Sequence, residues 1–197
     1  MAYYIPSKDC VFIHIPKTGG TSVLKWLQTN LECKKSCTKH CTIEKWNKHK
    51  GQKTIHFTVV RNPYARILSW FHYQGKMANN RYKSKCNRSY DKEMMFYYKK
   101  GFQYWLETGR PDVLLNKTIL TQQVDFYDEN CLFVLSTENL SEEFSKVQDF
   151  FYVYEPIKHL NKSGKDTKNY REYYNKDTKK IVSKLFEKDL DILKYTF

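Results

Sequence analysis

A chain of 197 residues, 28% charged and 16% aromatic, can bury a full core and is neither disordered nor fibrous. Its formal charge of +13 predicts affinity for polyanions (a nucleotide, an anionic glycan or nucleic acid), although many lysines, Lys34, Lys35, Lys99, Lys100, Lys179 and Lys180 among them, read as solvated surface. No apolar run reaches membrane-span length and no charged-then-apolar start marks an export signal, so the sequence predicts a complete cytoplasmic protein of one domain, 1–197.

In chain order, "CVFIHI" (10–15) is the first strand, entered almost directly from "MAYYIPSKDC". It is continuously apolar, as a strand buried on both faces of a parallel sheet should be. The loop "PKTGGTS" follows, and then Val23, Leu24, Leu27 and Leu31 recur at helical spacing. Next come Cys33, Cys37 and Cys41, with His40 among them; their spacing is not that of a structural zinc site. The reading is six unpaired thiols in a reducing compartment, with zinc and a disulfide as minor alternatives and no metal required. Four N-x-[ST] sequons, at Asn87, Asn116, Asn139 and Asn161, would stay unused there.

"IHFTVV" (55–60) is the second strand, followed by Asn62 as N-cap and Pro63 at the first helical position. In "RNPYARILSWF", Tyr64, Ile67, Leu68 and Phe71 form a core stripe, which places Arg66 and Ser69 on a polar face. Residues 74–125 are rich in Tyr, Lys and Met and read as helices and loops. "CLFVLS" (131–136) is the third strand, and "STENLSEEFSKVQDFF" begins a helix with acidic first turns. Ile181, Val182, Leu185 and Phe186 mark a closing helix between 177 and 193. Repeated strand-then-helix order predicts an α/β fold: a P-loop-like, three-layer arrangement with a central parallel β-sheet flanked by helices. Ligands in such folds bind beyond the carboxyl ends of the strands.

Two anion grips stand at those ends. In the first, Gly19 and Gly20 let backbone N–H groups close around a phosphate, Thr21 and Ser22 add hydroxyls, and the next helix points its N-terminus there. The familiar nucleotide loop places its lysine after the glycines; here Lys17 precedes them, at the front edge of the bound anion. In the second, Arg61 ends a strand and Ser69 lies on the following helix, a spacing able to hold another phosphate.

"FIHIPKTGGTS" followed by "FTVVRNPYARILSWF" resembles the paired signature of sulfotransferases that use 3′-phosphoadenosine 5′-phosphosulfate (PAPS), most closely the carbohydrate O-sulfotransferases of the Golgi and their bacterial and viral relatives. The tail "HLNKSGKDTKNYREYYNKDTKKIVSKLFEKDLDILKYTF" extends the likeness over most of the chain. The resemblance implies that the whole of 1–197 is one sulfotransferase domain, turning PAPS into 3′,5′-ADP without metal. It implies that Lys17 contacts the bridging oxygen and sulfuryl group, that Thr18, Gly19, Gly20, Thr21 and Ser22 hold the 5′-phosphate, that Arg61 and Ser69 hold the 3′-phosphate, and that Lys162 and Ser163 cover the cofactor.

In-line transfer also needs a base opposite the leaving phosphate. His40, His49, His56, His72 and several carboxylates qualify. Relatives often carry His-x-Thr between the phosphate motifs, and "HCTIEKW" matches it, so His40 is the expected base. Glu44 stands in reserve, whereas His56 and His14 lie within strands and read as structural. The acceptor is expected to be a carbohydrate or another hydroxyl compound, with no specific nucleic acid partner; the sequence does not fix the oligomeric state. Two other readings are a kinase with a degenerate P-loop, which lacks its metal carboxylate here, and a non-catalytic polyanion-binding module.

Overall fold

The computed structural model describes residues 2–35, 41–83, 89–108, 117–158 and 167–197. The chain divides into two compact units, Met1–Asn62 with Thr121–Lys162, and Pro63–Leu120 with Ser163–Phe197.

The first unit holds a five-stranded sheet in the order β3-β1-β2-β4-β5. The strands are β1 (Ala2–Ile5), β2 (Cys10–Ile13), β3 (Lys34–Lys35), β4 (Ile55–Val60) and β5 (Cys131–Ser136). The apolar runs of the sequence supply β2, β4 and β5, which pair in parallel. β1 and β3 add an antiparallel edge, so the sheet is mixed. What reads in sequence as a lead-in is a hairpin arm. Pro6–Lys8 makes a 3-10 turn, Asp9 takes a left-handed φ of 44°, and its carboxylate accepts from the Tyr4 hydroxyl at 2.9 Å.

Helices flank both faces of this sheet. Alternation along β1 sends Tyr3 and Ile5 to one side and Tyr4 to the other. On the first side, Val23, Trp26 and Leu27 of α1 (Gly20–Asn30) join Leu140 of α7 (Leu140–Glu143) and Val147 and Phe151 of α8 (Ser145–Phe151). They cover Phe12, Phe57, Val59 and Leu135. Each such side chain stabilises the fold by about 1.5–3 kcal/mol on full burial. On the second side, Trp46 of α2 (Ile43–Lys50) stacks on Tyr4 at 5.9 Å and donates to Thr54 Oγ1 at 3.1 Å. Cys10, Cys33 and Cys131 are free thiols, but Cys41 is disulfide-bonded to a partner outside the described residues. This corrects the expectation of unpaired thiols throughout: that expectation rested on a reducing compartment, and such a bond is one that oxidising compartments keep.

The second unit is helical: α3 (Pro63–Lys83), α4 (Ser89–Lys100), α5 (Phe102–Thr108), α6 (Lys117–Leu120), a 3-10 stretch Thr167–Tyr173, α9 (Lys176–Leu185) and α10 (Glu187–Ile192). Pro63 opens α3 as its ring predicts. The core stripe Tyr64, Ile67, Leu68 and Phe71 is buried as expected, but Arg66 and Ser69 on the opposite side of these turns are buried as well. Arg66 is 0% exposed, lies 3.9 Å from the equally buried Asp189 carboxylate, and stands over the Phe186 ring. Periodicity marks an arginine as polar-face; it does not show that a later helix brings the counter-charge. Asn175 caps α9 through a capping box with Thr178. Among the described residues, no helix is long and apolar enough to cross a membrane.

Candidate functional site

β2 delivers the chain to the loop at its carboxyl end. Thr18 is buried there, and its hydroxyl donates to the Ile15 carbonyl at 2.9 Å, closing the turn. Lys17 and Gly19 both have left-handed backbones, with φ of 70° and 77°, on either side of Thr18. This alternation turns successive N–H groups into an anion-binding concavity. For Gly19 the conformation is free of steric cost, whereas for Lys17 it is a strained one of the kind held at functional sites. α1 begins at Gly20, and the Ser22 N–H donates to the Gly19 carbonyl at 3.0 Å. Gly20 has to be glycine for a packing reason: a Cβ there would lie 2.3 Å from the His14 ring, which stacks on Phe12. His14 therefore shapes the loop. Thr21 is exposed on the first turn of α1, while Ser22 is buried.

β4 delivers Arg61 to the same place. Its Nη1 donates to the Lys17 carbonyl at 3.4 Å. Its main chain is gripped on both sides by the fully buried Gln123, which accepts from the Arg61 N–H and donates to the Arg61 carbonyl, each at 2.9 Å. Burial, with the neighbouring Arg61 guanidinium second, pushes the Lys17 ammonium down to about 8. Two cations held side by side against a glycine concavity form a site that is favourable for an anion.

β5 supplies the third strand end. The Thr137 N–H donates to the Val60 carbonyl at 2.8 Å, and its hydroxyl faces both the Val60 and the Thr18 carbonyls at 2.8 Å. Glu138 accepts from the Asn62 N–H at 3.0 Å and from the Ser136 hydroxyl at 2.9 Å. Sequence reasoning missed Gln123 and Thr137. The signal available for Thr137 was its position directly after the third apolar run.

The structure thus brings Lys17, Thr18, Gly19, Gly20, Ser22 and Arg61 to one end of the first unit's sheet. Ser69 belongs to the second unit and is buried on α3. His40, Lys162 and Ser163 lie outside the described residues. Thr42 caps α2 by accepting from the Lys45 N–H, which leaves Glu44 exposed in the first turn, where its charge favours the helix. His49 is exposed in the last turn of α2, and His72 is half-buried on α3 in the second unit. His56 sits near the start of β4, five residues before Arg61 and therefore roughly 16 Å from it along an extended strand. It is fully buried, with Nδ1 facing the Thr54 carbonyl at 3.0 Å and Nε2 facing the Asp128 N–H at 3.3 Å. Burial pushes its pKa down, so the ring stays neutral and structural. Among the described residues, no three His, Cys, Asp or Glu side chains gather as a metal site would need.

The family model described as "Sulfotransferase family" matches residues 2–196. No curated protein and no solved structure is a match for the chain.

Proposed function

This chain belongs to the sulfotransferase family, and on that premise we propose that it moves the sulfuryl group of PAPS to a hydroxyl of a carbohydrate. The observation that carries this reading is the pairing of Lys17 with Arg61 around the concavity formed by Lys17, Thr18 and Gly19. A metal-dependent phosphate loop brings its charge with Mg²⁺; here the chain's own cations supply it. The 5′-phosphate falls to the N–H groups of the loop and the start of α1, with Thr21 and Ser22 as hydroxyl donors. Arg61 and Ser69 are assigned the 3′-phosphate, and Lys162 and Ser163 the cover, on the sequence motif.

In the step itself, the acceptor oxygen forms a bond to sulfur as the bond from sulfur to the phosphate oxygen breaks. The bonding electrons leave on the phosphate of 3′,5′-ADP, where Lys17 stabilises the developing charge. The acceptor proton passes to a base, for which His40 is the proposal. The test is transfer of label from PAPS to a panel of glycans and phenols, run beside γ-labelled ATP with Mg²⁺. Label should pass from PAPS in the presence of chelator, and Lys17→Ala should lower turnover by about 10²- to 10³-fold. Transfer from ATP alone, or turnover indifferent to Lys17, overturns the reading.

A further inference from the structure

We propose that Thr137 is a positioning residue for the anion site: it fixes the direction of the Gly19 N–H by holding the Thr18 carbonyl. This rests on the reading of the loop after β2 as the donor's phosphate cradle.

The ends of β4 and β5 and the loop after β2 meet at this one side chain. The Val60 carbonyl at the end of β4 already accepts from the Thr137 N–H at 2.8 Å. The hydroxyl of Thr137 has one proton and two carbonyls within 2.8 Å, those of Val60 and Thr18. Since Val60 already has the main-chain donor, the hydroxyl proton is best used on Thr18. Among the described residues no peptide is cis, so the Lys17–Thr18 and Thr18–Gly19 peptides are trans. In a trans peptide the carbonyl and the following N–H point in opposite directions. Holding the Thr18 oxygen toward Thr137 therefore turns the Gly19 N–H away from it, out of the strand-end cluster. Arg61 acts in the same way one peptide earlier, where its hold on the Lys17 carbonyl orients the Thr18 N–H. The left-handed residues Lys17 and Gly19 give the loop its curvature, and the two carbonyl clasps fix its two inner donors. The Thr137 methyl lies 3.5 Å from where a Cβ on Gly19 would stand, an ordinary van der Waals distance, so the hydroxyl clasp and not the methyl carries the restraint.

A preorganised N–H needs no reorganisation when the anion arrives, and a free one does. Thr137→Val keeps the shape and removes the clasp, and Thr137→Ser keeps the clasp and removes the methyl. Affinities for 3′,5′-ADP and for inorganic pyrophosphate are measured by calorimetry, and thermal midpoints are recorded for each protein. The valine variant should bind both anions about tenfold more weakly, the scale of one hydrogen bond, while serine returns to within about twofold of the wild type. If valine leaves the protein unfolded, Thr137→Ala replaces it, removing the hydroxyl without setting a methyl against the Val60 carbonyl. A purely structural role would lower the midpoint and leave the affinity of the folded protein unchanged; that result overturns the proposal. Wild-type binding of pyrophosphate but not 3′,5′-ADP would sink the donor reading alone, and the pyrophosphate series would still decide Thr137. Binding of neither anion by the wild type overturns both.

Discussion

Lys17 combines a strained left-handed backbone with an ammonium that burial and Arg61 push down to about 8. Both features cost stability in the empty protein, and an anion between the two cations offsets them. The sign of the pH dependence follows. If this site holds the donor as proposed, affinity for 3′,5′-ADP should be highest below about 8, where the ammonium carries its charge, and should weaken above it. Between pH 7 and 9 the affinity should fall by up to about tenfold, one decade for each pH unit beyond the pKa. Lys17→Arg keeps its charge throughout and should give a nearly flat profile over the same range. An identical decline in both proteins would assign the titration to another group. Folding stability runs the other way. The folded pKa lies below the ordinary lysine value of 10.5, so the ligand-free protein gains stability from this group as pH rises from about 8 toward 10.5. Arg66 is the second-unit counterpart of a displaced cation. Burial lowers it to about 10 and Asp189 opposes the shift, which places it in the core and not among the anion ligands.

At the level of elements, Gly75 sets how closely α3 and α4 approach. A Cβ at this position would lie 2.1 Å from the Tyr98 ring, a contact that no rotation of a flexible tip relieves. Gly75→Ala should destabilise the protein by about 1–3 kcal/mol despite the better helix propensity of alanine. Thermal midpoints of Gly75→Ala, Tyr98→Ala and the double variant decide it: the double should be more stable than the sum of the singles predicts, and simple additivity would mean the ring has room. Such a contact is invisible in sequence, where Gly75 is only a weak helix former. What was legible is what is contiguous. The runs 10–15, 55–60 and 131–136 contain β2, β4 and β5, and the turn between β2 and α1 is marked by its glycines. β1 was missed because four residues ending before a proline carry no strand signal beyond their apolarity, and β3 is only a pair of lysines. Gln123 and Thr137 were missed for a different reason. Their work is done by side chain to main chain bonds spanning 62 and 119 residues, and no local pattern encodes those.

For the whole molecule, the excess of 34 basic over 21 acidic residues invites a competing explanation of any anion binding, namely diffuse attraction of a polyanion to a basic surface. The two can be separated by salt. A polyanion held by many lysines releases many counterions, so its affinity falls by about 10³-fold or more between 50 and 200 mM salt. A small nucleotide bisphosphate in the proposed cradle would make few contacts, with most of its free energy coming from oriented N–H donors and a half-buried lysine that salt screens weakly. Duplex DNA and 3′,5′-ADP, titrated into the same protein across that range, should therefore part company: DNA binding collapses while nucleotide affinity drops by less than about tenfold. The variants sharpen the contrast. Lys17→Ala removes one charge of many and should leave the DNA salt slope almost unchanged, yet it should abolish most nucleotide binding. Parallel salt dependence of the two ligands, or equal sensitivity to Lys17, would mean that the net charge accounts for the anion affinity and that the loop after β2 adds no selectivity to it.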